Sequence, residues 1–284
     1  MELHKTPERT KSGFVLLDQN MRLVKPVNEY LDFQALRGRA ENTLLAYGKD
    51  LKTFFEFLEQ RKLQYDQVTA NMIRDYVEYL RAPDVNTVYL FVESKRSPAT
   101  INRMISTLHG FYGYHVSMYG IVNPVITEDI NSPNGIFRGI LYHTRKSNYT
   151  RQSVFKVKES EYRIHLFTTT EMRQMHDVLP TARDKLLFKF LLQSGARISE
   201  ALSLRIEDIP VPDISSDISV LRHVKSKGRY RDIYIPTELL IDLDNYILDN
   251  CLSTKFGHDY IFASQHRHFQ GKPISYRGIY EVFK

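Results

Sequence analysis

Two groups of charged side chains in this 284-residue sequence are candidates for chemistry. The first is Arg197 with Glu200, inside LLFKFLLQSGARISEALSLRIEDI, residues 186–209. Leu186, Leu187, Phe190 and Leu191 fall at helix spacing and define one apolar face. Ser194-Gly195 ends that run, because glycine accepts the turn that closes a helix. Ile198, Ala201, Leu202 and Leu204 are the apolar side of a second short helix, with Arg197 at the junction. A guanidinium in such apolar surroundings has to find a partner or point into a site. Its planar fork can donate to two oxygens of one phosphate. Glu200, one helical turn on, is placed to hold that fork. The same residues also describe a structural Arg–Glu pair at a helix corner, the commoner case in an arbitrary protein. The second group is Lys225 and Lys227 in ISVLRHVKSKGRYRDIYIP, residues 218–236. β-Branched residues flank a basic turn at Gly228, so the stretch reads as a β-hairpin. Lysines two apart on a strand share one face.

The elements that must position these groups follow from periodicity and capping. Residues 1–26 are mixed and polar and read as a loosely held N-terminal extension. Helical patterns begin at Val27, and Glu29 to Leu36 gives a short first helix. From Thr43 to Leu58, the residues Leu44, Tyr47, Leu51, Phe54 and Leu58 recur at steps of three and four. Thr69 reads as the N-cap of a helix carrying Met72, Ile73, Tyr76, Val77 and Leu80, with Pro83 just past its end. Ser97-Pro98 joins a capping serine to proline at the first helical position. Ile101, Met104, Ile105, Leu108 and Phe111 follow, and that helix runs to about Tyr119, before Gly120. Four amphipathic helices on short connections predict an all-helical domain over 27–125.

Over 126–165 the periodicity fades. Arg138, Arg145, Lys146, Arg151, Lys156 and Lys158 are interleaved with Tyr142, Tyr149 and Phe155. The stretch reads as a basic interdomain linker, either laid along a nucleic-acid backbone or simply solvated. A second domain is expected over 166–284. Thr168 and Glu171 make a capping-box pattern before Met172, Met175 and Leu179. After the hairpin, Leu240, Leu243 and Ile247 mark a helix from Thr237 to about Leu248. Tyr260-Ile261-Phe262 reads as a brief extended piece, and Ser275 caps a last helix burying Ile279, Val282 and Phe283.

Composition sets the class. The net charge of +6 leans toward a polyanionic partner and is also compatible with simple solubility. The single cysteine, Cys251, excludes an internal disulfide and a multi-cysteine metal site, and fits a reduced thiol in the cytosol. No stretch is long and apolar enough to span a membrane, and MELHKTPERTKSG lacks the apolar core of a signal peptide.

The run ARISEALSLRIEDI resembles the first catalytic box of the tyrosine recombinases, the phage-integrase family. Members carry a near-identical G-x-R-x-S-E-x-x-x-L run followed by D-I, here Gly195, Arg197, Ser199, Glu200, Leu204, Asp208 and Ile209. Thr43 to Leu58 and SPATINRMISTLHGFYGYH resemble the opening and the last long helix of that family's core-binding domain. The resemblance implies a mainly α fold: a helical SAM-like core-binding domain plus a mainly helical catalytic domain with a small antiparallel β-sheet. It implies that Arg197 grips the scissile phosphate and that a hairpin lysine protonates the leaving 5′ oxygen. Lys227 fits that place best, with one residue more than expected before Ile235-Pro236, and Lys225 is the alternative. It implies double-stranded DNA as the partner, clamped between two domains, self-association on DNA from dimer to tetramer, and a cytoplasmic, DNA-associated protein.

No cofactor is called for, because a phosphotyrosyl link retains the bond energy and arginines neutralise charge as a metal does elsewhere. Candidate DNA contacts are Lys95, Arg96 and Arg103 on the first domain, Arg145, Lys146 and Arg151 on the linker, and Arg197, Lys227 and Arg229 on the second. The family's pattern continues with an H-x-x-R box and a nucleophilic tyrosine. None of the ten histidines begins H-x-x-R, and none of the tyrosines from Tyr230 to Tyr280 stands in the family's context. A C-terminally shortened recombinase, binding DNA without cutting it, is therefore expected. The Lys-Ser-Lys-Gly hairpin and long basic linker lean toward the transposon-encoded transposase branch. The alternative is a non-catalytic DNA-binding regulator that keeps the fold.

Overall fold

The computed structural model describes residues 1–6, 10–81, 96–131, 149–159, 165–251, 259–266, 268–269 and 271–284. Two compact units emerge, Met1–Tyr162 and Arg163–Lys284. The fold is mostly helical with small two-stranded antiparallel sheets.

In the first unit, four helices, α1 (Lys25–Leu36), α2 (Glu41–Gln60), α3 (Ala70–Arg81) and α4 (Pro98–Tyr119), surround one core. Tyr30, Leu51, Phe54, Tyr76, Leu108 and Phe111 are fully buried there, on the faces that the three- and four-residue spacing marks out. The ends of α4 follow local chemistry. Ser97 Oγ accepts from the Thr100 amide at 3.3 Å, and Gly120 closes the helix at φ 70°.

Residues 1–26 differ from the loose extension expected. Strands β1 (Glu2–Lys5) and β2 (Phe14–Leu17) form an antiparallel hairpin whose Phe14 and Leu16 enter the helical core. Leu3 rests on Gly48 of α2, where an added Cβ would stand 2.9 Å from its side chain. Glycine is what lets the strand approach. The expected linker also departs from an open connection. Strands β3 (Thr127–Asn131) and β4 (Tyr149–Ser153) pair antiparallel, and Phe155 and Val157 pack on the first core. Asn102 of α4 fixes Val157 by two bonds, donating to its carbonyl at 2.9 Å and accepting from its amide at 2.8 Å.

The second unit begins with α5 (Thr169–Val178), which carries the expected capping box: the Glu171 amide donates to Thr168 Oγ1, and the Thr168 amide donates to Glu171 Oε2. Helix α6 (Ala182–Ser194) ends at Gly195, φ 58°, and the short α7 (Ile198–Leu202) follows. Strands β5 (Ile218–Ser226) and β6 (Arg229–Pro236) form the predicted hairpin, with Gly228 at φ 76° in its turn. The α8 helix (Thr237–Tyr246) continues as one π-helical turn to Cys251, and α9 (Tyr276–Phe283) starts at a Ser275 cap. Leu187, Phe190, Leu221, Ile233, Ile235, Leu243, Phe262 and Ile279 form the core. A bulge interrupts β5: Leu221 pairs with Ile233, but Val224 pairs with Arg231. His223 in the bulge takes φ 56°, and its amide donates to Asp232 Oδ1 at 3.0 Å. Among the described residues, no helix is long and apolar enough to cross a membrane.

Candidate functional site

Arg197 stands at the N-cap of α7, two residues after the glycine that ends α6. That corner turns its backbone amide and its side chain toward the same carboxylate. The amide donates to Glu200 Oε2 at 2.8 Å, and Nη1 donates to Glu200 Oε1 at 2.9 Å. Nη1 also donates to Ser226 Oγ at 3.2 Å, which ties the corner to the hairpin. The expected Arg–Glu contact is therefore present, and the hairpin carrying both candidate lysines is joined to it.

Glu200 has a second arginine. Arg231 of β6 donates from Nε to Oε1 at 3.1 Å and from Nη2 to Oε2 at 2.6 Å, a bidentate fork. The Arg231 guanidinium first, then Ser226 and Arg197, hold the Glu200 carboxyl well below the usual carboxylate range, against the opposing effect of burial. Glu200 in turn raises Arg231. The Glu200 side chain is 1% exposed, Arg231 34% and Arg197 55%. Charge thus runs outward from a buried anion to a half-exposed cation. Among the described residues, Arg197 Nε and Nη2 hold no hydrogen bond, so a guanidinium edge remains for an incoming oxyanion.

Sequence reasoning missed Arg231. The signal was the strand period: Arg231, Ile233 and Ile235 alternate on one face, and both isoleucines are buried. An arginine in line with a buried row has to meet a partner at the core's edge.

Lys227 lies in the hairpin turn, and Lys225 pairs with Tyr230 across the strands. Both are exposed, as is Arg229. Val224 and Ser226 are buried, so alternation puts Lys225 on the face opposite Ser226 and its Arg197 contact. On the first unit, Arg103 of α4 is bound to the buried Asp50 of α2, and Arg96 lies just before the α4 cap, acting electrostatically on the same carboxylate. Arg151 on β4 pairs with Asp129 across the strands at 3.4 Å. Lys95, Arg145 and Lys146 lie outside the described residues. Among the described residues, no cluster of three or more His, Cys, Asp or Glu side chains is arranged to hold a metal.

Two family models match the chain: the phage integrase N-terminal SAM-like domain over residues 27–117, and the phage integrase family over 165–284. The chain is 28% identical over 278 residues to transposase A from transposon Tn554 of Staphylococcus aureus strain Mu50, covering 95% of this chain and 76% of that protein. It is 27% identical over 248 residues to the tyrosine recombinase XerC of Staphylococcus epidermidis strain RP62A, covering 86% of this chain and 69% of that protein. Its fold is similar to that of a lambda integrase dimer bound to a COC′ core site, with a TM-score of 0.55 and 15% identity. That match covers 91% of this chain, which spans 61% of the integrase chain.

Proposed function

The chain belongs to the phage integrase family of tyrosine recombinases, and on that premise we propose that it acts on double-stranded DNA in site-specific recombination or transposition. The observation that carries the reading is the half-exposed Arg197 fixed on the buried Glu200. The reaction class is in-line attack of a tyrosine oxygen on a DNA phosphate, which leaves a phosphotyrosyl link and a free 5′ hydroxyl. Its transition state gathers charge on the non-bridging oxygens. A preorganised guanidinium meets that charge without reorganising. Arg197 holds the phosphate, Glu200, itself held by Arg231, fixes Arg197, and Lys227 delivers the proton to the leaving 5′ oxygen. Lys227 is preferred to Lys225 because it lies in the turn, beyond the paired strand, whereas strand alternation holds Lys225 on the face opposite Ser226 and its Arg197 contact. Arg229, Lys95, Arg96, Arg103, Arg145, Lys146 and Arg151 are assigned to DNA phosphates.

We assign the core-binding role to the first unit and the catalytic role to the second. Self-association on DNA is part of the proposal, supported by the dimeric state of the lambda integrase. The transposase branch is favoured by the Tn554 relative, matched over 95% of this chain. The reading is tested by selecting duplexes bound by this chain from a random pool and measuring affinity against salt. Binding that falls steeply with salt is expected. A chain that enriches no duplex, or binds independently of salt, would overturn the reading. A phosphotyrosyl adduct on suicide substrates separates an enzyme from a regulator that keeps the fold.

A further inference from the structure

The basic residues assigned to DNA on the first unit are not held alike. Arg103 lies on α4, and its Nη1 donates to Asp50 Oδ2 at 2.5 Å. Thr107, one turn further along α4, donates from Oγ1 to the same oxygen at 2.8 Å. Asp50 comes from the middle of α2 and its side chain is 3% exposed, while the Arg103 side chain is 49% exposed. Thr107 is buried.

Nothing about the helix packing asks for a carboxylate at this point. Well-packed apolar residues stabilise a buried contact as well as an ion pair does, or better. What the pair supplies is direction. A free arginine would lose its rotamer freedom on meeting a phosphate, whereas an arginine already pinned from behind has lost it on folding. The guanidinium keeps donors that Asp50 does not use, on the side open to solvent.

We propose that Asp50 is a positioning residue for DNA binding: with Thr107 it holds Arg103 at the surface of the first unit to grip a phosphate of duplex DNA. This rests on the DNA-binding reading above and adds a residue of the wrong charge to it. The charge makes the proposal testable. Removing an acid from a DNA-binding protein strengthens binding if charge alone matters. Removing a positioning acid weakens it.

The test measures affinity for a selected duplex, across a salt series, for wild type, Arg103→Ala, Asp50→Asn, the double variant, Thr107→Val and Thr107→Ser. Helical content is checked by circular dichroism. Arg103→Ala should lose about tenfold in affinity and reduce the salt slope by about one. Asp50→Asn should also lose affinity despite its gain of positive charge. The double variant should be no weaker than Arg103→Ala, because the two residues act as one unit. Thr107→Val should weaken binding and Thr107→Ser restore it. That pair carries the test if Asp50→Asn fails to fold. Tighter or unchanged binding by a folded Asp50→Asn, or additive losses in the double variant, would overturn the proposal. If wild type binds no duplex, the DNA reading itself fails. If wild type binds and Arg103→Ala binds equally well, only this inference fails.

Discussion

Glu200→Gln removes one charge and changes little else in shape. Its carboxylate accepts four bonds: from the Arg197 amide and Arg231 Nη2 on Oε2, and from Arg197 Nη1 and Arg231 Nε on Oε1. An amide keeps one accepting oxygen and turns an NH2 group against the other two donors. Two bonds are lost, and the remaining two are no longer charge-assisted. Hydrogen bonds to charged groups are worth about 1.5–3 kcal/mol each, and water can reach Arg197 and part of Arg231, so the loss at neutral pH should be about 3 kcal/mol. The pH dependence has a fixed sign. The carboxyl is held below its ordinary value of about 4.5, so the stabilisation is fully present above about pH 4.5 and is lost as pH falls through the depressed folded value. The glutamine variant has no such term. The gap between the two proteins should therefore be constant from pH 5 to 8 and shrink in acid. Hydrogen exchange of the buried Ile233 and Ile235 amides reads the stability of this unit separately from the other. A gap under about 1 kcal/mol at neutral pH, or one of undiminished size in strong acid, would refute the reasoning.

Arg197→Ala, assayed for strand cleavage in a chain that carries the nucleophilic tyrosine, should lose on the order of a hundredfold or more in rate while binding DNA nearly as wild type does. Lys227→Ala should slow cleavage, and a 5′-bridging sulfur substrate should rescue it, because sulfur leaves without a proton; Arg197→Ala should show no rescue. Rescue of Lys225→Ala in place of Lys227→Ala would reassign the general acid. Charge reversal at Arg145 and Lys146 should weaken binding to all duplexes about equally, as phosphate contacts do. Unchanged affinity at low salt would remove the stretch around them from the interface.

The legible parts of the fold were the locally determined ones. Ser97-Pro98 and Gly120 fixed both ends of α4, Thr168 and Glu171 the start of α5, and Gly228 the hairpin turn. Arg197 and Glu200 were legible as a pair because they are three residues apart across one helix start. What was not legible depends on distant partners. The four-residue strands β1 and β2 carry no periodic signal, and Leu3 finds its seat only at Gly48. Strands β3 and β4, with sequences TEDIN and YTRQS, show no apolar alternation to mark them within a basic stretch. Arg231 reaches Glu200 across 31 residues and a bulge that shifts the β5 register. Arg103 and Asp50 are 53 residues apart on different helices, so Arg103 read as a surface cation with no hint of the acid behind it.

Both units thus set a half-exposed arginine on a buried carboxylate, yet the two acids are not equally secure. Glu200 has two guanidiniums and a backbone amide, and these outweigh the cost of burial, so its carboxyl is held down. Asp50 has one guanidinium, one hydroxyl and the more distant Arg96, and burial outweighs them, so its carboxyl is pushed up. The arginines stay charged at any pH of interest. Acid therefore acts on the carboxylates, and it acts on Asp50 first. As pH falls, a proton on Asp50 releases Arg103 while Glu200 still holds Arg197 in place. Carboxyl-carbon NMR of the two side chains should show Asp50 titrating at the higher pH, and the Arg103 contribution to DNA affinity should fade along with that titration. If Glu200 took its proton first, hydrogen-bond count would not be what orders these sites. The order matters for how the molecule is built: Arg103 can be released at the first unit while the corner of Arg197, Glu200 and Arg231 in the second stays assembled.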